Sequence, residues 1–397
     1  MKKAISIALC AVTALGVTAC RKVVDEIDKD KTQIYVAVYN GGTGTAWIEK
    51  MASEWNAKND KFQIVINGKE KFNVENAVAE MQSGITSTSN TMYYTATTGF
   101  TSAINQGYLE DLSDVLEMKV DGTDKTVGDK FGTSDEYREG WRRMNSDKDG
   151  NGLYALPYAD SYMGFVYDHQ TFLDNGWLIY ADATDEVISK ATADGVQTVK
   201  EGNKLKVTST SSSYYKTNDY LLSAGKDGVY GTYDDGQPQT IDEWETLTAQ
   251  IEADQKKAFI WTGAYAEYMD NIFYSALYQI GGESTYNAIM ARNSNGEKIT
   301  LNDGSQVEIN YENGYLADRA QALTDAINFC DSIVNNTILV NSKSYSGQTT
   351  HNDAQNAFLL GYLNDATNPE TAFLCDGVWW ENEARSFFYS LEENGEK

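Results

Sequence analysis

One stretch narrows the fold of this chain more than any other. Ile34–Val38 (Ile-Tyr-Val-Ala-Val) carries no charge and is rich in β-formers, as a strand requires. It runs into Tyr39-Asn40-Gly41-Gly42-Thr43-Gly44-Thr45. An apolar stripe at helical spacing follows (Trp47, Ile48, Met51, Ala52, Trp55), and then a second strand-like run, Phe62–Ile66. Strand, glycine-rich turn, helix and strand predict a right-handed crossover on a parallel sheet, and so an α/β fold. The turn is neither a Gly-x-Gly-x-x-Gly fingerprint nor a phosphate loop closing in Lys-Ser/Thr. Two readings of it stay open. It holds a polar ligand at the carboxyl end of the strand through backbone N–H groups and Asn40, Thr43 and Thr45, or it is a plain structural turn.

The N-terminus reads as an export signal. Lys2 and Lys3 precede the apolar stretch Ala4–Val17, too short to span a bilayer in a mature protein but suited to the core of a secretion signal. It ends in Val17-Thr18-Ala19-Cys20, a pattern similar to the bacterial lipobox, which implies a lipid on Cys20. The charged segment Arg21–Lys31 has no apolar period and reads as a disordered tether. The expected segments are a signal over 1–19, a lipidated tether over 20–31, a first α/β lobe over 32–158 and a second over 159–397.

With 32 basic against 58 acidic residues, the net charge of −26 repels nucleic acid and anionic headgroups, so no nucleic-acid partner is expected. The 26 Tyr and 8 Trp supply flat rings with polar edges. Most must be core, but a sugar site needs the same residues: a pyranose stacks its apolar face on a ring while its hydroxyls seek hydrogen bonds. Beyond Cys10 and Cys20, the cysteines are Cys330, in a helical pattern with Ala326, Ile327, Ile333 and Val334, and Cys375, at the end of an apolar run. Two small buried thiols are the expectation, with a disulfide left open.

Several segments, in order, resemble the extracellular solute-binding proteins of carbohydrate ABC importers, the maltose-binding-protein-like family. They are Tyr39–Gly42 with the helix to Trp55; Ile104–Leu112 (Ile-Asn-Gln-Gly-Tyr-Leu-Glu-Asp-Leu); Gly150–Tyr158 (Gly-Asn-Gly-Leu-Tyr-Ala-Leu-Pro-Tyr); Phe165–Gly176; Pro238–Leu247; and Ala357–Trp379, with an insertion around Asn364–Glu370. The resemblance implies a two-lobe periplasmic-binding-protein-like fold with a ligand cleft between the lobes. It also implies capture of a carbohydrate, an oligosaccharide by expectation, for ABC permease subunits. A monomer that is not an enzyme, anchored outside the cytoplasm through Cys20 and needing no cofactor, is expected. The family's chain continues past the Gly-x-Trp segment, so a shortened second lobe is expected here, its C-terminal part missing and one crossing left near Pro157–Tyr167.

The resemblance carries over residue by residue. Ser161 stands where the relative has a sugar-contacting glutamate, with Asp160 beside it as a substitute. Trp379 matches the tryptophan that stacks on a sugar ring, core packing being its other reading. Trp261, Tyr265 and Tyr268 fall where the second lobe offers an aromatic platform. Tyr39, Asn40 and Thr43 in the first turn, and Thr97 with Thr95 and Thr98 after Met92-Tyr93-Tyr94, complete the candidate site. Asp147-Lys148-Asp149-Gly150-Asn151-Gly152 fits the first half of a calcium loop, but the twelfth position is Tyr158 instead of Glu. Asp227-Gly228 and Asp234-Asp235-Gly236 raise the same question, and calcium stays a lesser alternative to polar turns. Two rival functions remain open: a secreted glycan-active enzyme with carboxylates across a cleft, and a surface glycan-adhesion lipoprotein. Of the two histidines, His351 lies in Thr349–Gln355, which reads as a helix N-terminus with a capping role.

Overall fold

The computed structural model describes residues 27–67, 90–94, 100–120, 122–130, 146–147, 149–158, 161–361 and 369–393. The chain divides into two compact units, one ending at Asp160 and the other starting at Ser161.

The first unit is built on a parallel sheet of three strands, β1 (Thr32–Val38), β2 (Phe62–Asn67) and β3 (Asn90–Tyr94), in the order β2-β1-β3. Helix α1 (Ala46–Asn56) links β1 to β2, as the spacing predicts. The uncharged run in β1 has a physical reason, because both faces of this central strand are covered. Val36 and Val38 pack with Ile48 of α1, Ile64 and Ile66, while Ala37 packs against Phe100, Ala103 and Ile104. Met51, in the predicted apolar stripe, is exposed, and only Ile48 and Ala52 of that stripe are buried. The outer edge of β2 is closed by a side chain: the Asn56 amide donates to Ile64 O at 2.9 Å and accepts from Ile64 N at 2.7 Å. It replaces a neighbouring strand at that point.

The second unit centres on β10 (Thr371–Gly377), buried at every position. It pairs antiparallel with β4 (Met163–Val166) and parallel with β7 (Lys257–Ile260), in the order β4-β10-β7. Phe373 aligns with Phe259, and Leu374 with Ile260. Period-two alternation sends these pairs to opposite faces. Phe259 and Phe373 stack with Trp244 of α2 (Ile241–Ala253), while Ile260 and Leu374 meet Ala354, Ala357 and Phe358. Helix α3 (Glu267–Ala291) changes direction at Gly282 (φ 70°), a conformation glycine takes at little cost. It packs against α4 (Gln321–Val334) through Ala276, Leu277 and Ala326. Three helices complete the part that bears on function: α5 (His351–Gly361), α6 (Trp380–Glu383) and α7 (Arg385–Glu393). Two hairpins, β5 (Val196–Glu201) with β6 (Lys204–Thr210) and β8 (Lys298–Thr300) with β9 (Gln306–Glu308), lie outside the central sheet.

Cys330 and Cys375 are free thiols; Cys375 is buried. Burial, then the nearby Asp376 and Cys330, push the Cys375 thiol up to about 12. No helix among the described residues is long and apolar enough to cross a membrane.

Candidate functional site

Trp379 follows directly on β10, the place where open α/β sheets present ligands. Its indole lies flat on Gly377: a Cβ there would stand 2.3 Å from the ring. The indole bears on the Tyr268 hydroxyl, on the first turn of α3, and lowers its pKa. Seated on Gly377, this half-buried ring is oriented before any ligand arrives. Tyr268 is kept protonated. Burial raises its pKa, and the negative charges of Asp376, Glu383 and Glu267 raise it further, against the opposing effect of the Trp379 indole.

A polar chain runs behind the ring. Asp376 is 1 % exposed and accepts from Gly377 N at 2.7 Å and from Gln355 Nε2 at 3.0 Å. The same Nε2 donates to Glu383 Oε2 at 2.7 Å. The other oxygen of Glu383 lies 3.9 Å from His351 Nε2, and the His351 ring lies 5.7 Å from that of Tyr265. Burial pushes Asp376 up to about 6, and Glu383 adds to the rise against the hydrogen bonds from Gln355 and Gly377. Gln355 is wholly buried, yet its Oε1 has no partner. The loop leaving β7 is tied to the entry of α5, because Thr262 Oγ1 and Ala264 N both donate to Thr349 O at 3.0 Å. Gly263 permits that approach, since a Cβ would fall 2.2 Å from Ser346 O.

Of the residues expected from sequence, Tyr265, Tyr268 and Trp379 meet at this end of the sheet. Exposed Ser161 lies beside them: its neighbour Tyr162 accepts from Val378 N at 3.0 Å through its backbone carbonyl. Trp261 does not join them. It is 6 % exposed and belongs to the core, its ring edge to face with the exposed Tyr345 and its backbone N–H given to Ser344 Oγ. The resemblance placed it on the aromatic platform, but its ring is buried. His351 differs from its sequence reading too. The cap of α5 is Thr350, whose Oγ1 accepts from Asp353 N at 3.3 Å while its N–H donates to Asp353 Oδ2 at 3.0 Å. His351 faces Glu383 and Tyr265 instead.

In the first unit, Asn40 and Thr43 are exposed and Tyr39 is half-buried. Gly41 lies under the Tyr39 ring, where a Cβ would meet Cε1 at 2.3 Å. The turn is braced by Gly44 N donating to Gly41 O and by Trp47 Nε1 donating to Gly44 O. Trp47 stacks on Tyr158 at 5.3 Å, and both meet Tyr94 edge-on at 5.5 Å. Tyr39 bears on Tyr158 electrostatically. An aromatic group thus stands at the carboxyl ends of β1 and β3. Thr97, with Thr95 and Thr98, Asp160 and Cys20 lie outside the described residues.

Sequence reasoning missed Gln355, Asp376 and Glu383 here, and Trp47, Tyr94 and Tyr158 in the first unit. One signal was available: Asp376 is a carboxylate closing an otherwise uncharged strand, a placement that a fold tolerates only with partners. The calcium candidates have other occupations. Asp234 accepts from Lys226 N and Asp227 N, Asp235 accepts from the Tyr215 hydroxyl and Gly231 N, and Asp147 accepts from Asp149 N and Asn151 N. Among the described residues, no group of three or more His, Cys, Asp or Glu side chains is arranged to hold a metal ion.

No protein-family model and no curated protein matches the sequence. Among solved structures, the chain is similar to the apo form of RafE from Streptococcus pneumoniae, at 12 % identity and a TM-score of 0.48, over 91 % of this chain and 65 % of that one. It is similar to a chitin oligosaccharide binding protein at 13 % identity and 0.47, over 87 % and 62 %. A third likeness is to the bacterial solute receptor AcbH, described as exclusive for β-D-galactopyranose, at 10 % identity and 0.46, over 90 % and 62 %. The chain spans less than two thirds of the length of each.

Proposed function

We propose that this chain is an extracytoplasmic solute-binding lipoprotein that captures a carbohydrate and delivers it to the permease of an ABC importer. The observation that carries the reading is the Trp379 indole, seated on Gly377 beside the Tyr268 hydroxyl, with amide and carboxylate groups behind it. That combination suits a pyranose, whose apolar face needs a fixed ring and whose hydroxyls need polar partners. The ordered motifs from Tyr39 to Trp379 and the lipobox-like Val17–Cys20 support export, membrane anchoring through Cys20 and a monomeric receptor. The reading is of a binder and not of an enzyme. Asp376 is buried, and it shares a single amide donor with Glu383, so the pair does not present two carboxylates to a scissile bond.

The test is thermal stability across a panel of neutral and charged glycans. A bound sugar at a hundred times its dissociation constant adds about 2.7 kcal/mol. Trp379→Ala is expected to weaken binding by about 1–3 kcal/mol, the range for losing one stacked ring. A panel with no stabilising glycan, or a Trp379→Ala variant of unchanged affinity, refutes the assignment.

A further inference from the structure

Resting on the glycan reading, the hydrogen-bond inventory of the Trp379 half-site says what kind of sugar it takes. Its amide and backbone donors are spent, while the Tyr268 hydroxyl, kept protonated, still has an O–H to give. Both bonds from Gln355 Nε2 go to Asp376 and Glu383, and the Gly377 N–H goes to Asp376. Glu383 keeps a side chain 17 % exposed at the edge of the cluster, while the unpartnered Gln355 Oε1 is buried out of a ligand's reach. Every charge that bears on the Tyr268 hydroxyl is negative, from Asp376, Glu383 and Glu267. The cation that bears on Asp376 is His351, when protonated, and it lies 3.9 Å from Glu383.

We propose that this half-site discriminates by charge and by hydrogen-bond polarity: it accepts a saccharide unit that offers hydroxyl or amine donors and rejects one that carries a carboxylate, with Glu383 setting the preference. A hydroxyl or an ammonium arriving here meets the Glu383 carboxylate. A uronate brings a further negative charge beside the Glu383 carboxylate.

The experiment is titration calorimetry on the full chain with five trisaccharides: maltotriose, cellotriose and triacetylchitotriose as neutral probes, deacetylated chitotriose as the cationic probe and trigalacturonate as the anionic one. Each is run at low and at high salt, with wild type and Glu383→Gln. The expected result is trigalacturonate at least about tenfold weaker than the best of the other four, with the gap narrowed about fivefold by Glu383→Gln and reduced by salt. Trigalacturonate as the tightest of the five overturns the charge inference and leaves the glycan reading standing. A gap that Glu383→Gln does not change overturns the assignment to Glu383. Should Glu383→Gln fail to fold, the salt dependence of the wild-type gap decides, and a salt-independent gap overturns the inference. Silence from all five sugars refutes the glycan reading itself.

Discussion

At the scale of single residues, the buried carboxylate behind the ring makes a pH-dependent contribution to the stability of the second unit. Asp376 is raised in the folded chain from 3.8 to about 6, so the folded state binds its proton more tightly than the unfolded state. Stability from this group is present below about pH 4 and is lost as pH rises through 6, a span of about 3 kcal/mol at roughly 1.4 kcal/mol per unit. Asp376→Asn removes that slope, and the difference in melting temperature between variant and wild type across this window measures it. Gly377→Ala is a second probe. Its methyl would occupy the space of the indole, so the ring must leave its seat, and sugar affinity is expected to fall as it does in Trp379→Ala. Cys375, buried and raised to about 12, is expected to resist thiol reagents until the chain unfolds. Modification of native Cys375 at the rate of a free thiol contradicts the burial.

At the scale of elements, the site depends on how α5 begins. Thr350 and Asp353 satisfy each other's backbone N–H groups, and the helix then carries His351 and Gln355 to Glu383 and Asp376. Thr350→Ala is expected to cost about 1 kcal/mol in denaturant unfolding, with a further loss of sugar affinity as the Gln355 clamp loosens. Gly263→Ala strikes the neighbouring loop. Its Cβ would overlap backbone at Ser346, which cannot rotate away as a side chain could. An expected loss of about 1–3 kcal/mol follows, and unchanged stability would show that the loop from β7 is not held against residues 344–346.

For the whole molecule, the predictions concern location. Cys20→Ser is expected to move the protein from the membrane fraction to the soluble fraction of the native cell, with the mass shift of the lipid lost. A variant that stays membrane-bound at unchanged mass refutes the lipobox reading. The acidic surface gives the complementary expectation of no salt-sensitive retention on DNA, checked by mobility shift.

Much of the fold was legible because its signals are local. The charge-free run at β1, the helical stripe of α1 and the strand after it depend on neighbours within a few residues, and the parallel pairing of β1 with β2 follows from them. The ring at Trp379 was legible through its Gly-x-Trp spacing, since the glycine two residues before it is the seat of the indole. Side-chain partnership was not. Gln355, Asp376 and Glu383 lie on a helix, a strand and a short helix, and only packing brings one amide nitrogen within 3.0 Å of two carboxylates. The fates of Trp261 and Trp379 make the same point. Both follow a strand of one sheet, yet one ring turns into the core and the other rests half-exposed on a glycine. Periodicity determines that a residue leaves a strand. Which way its ring turns depends on the volume left by residues far along the chain, and that only the tertiary structure decides.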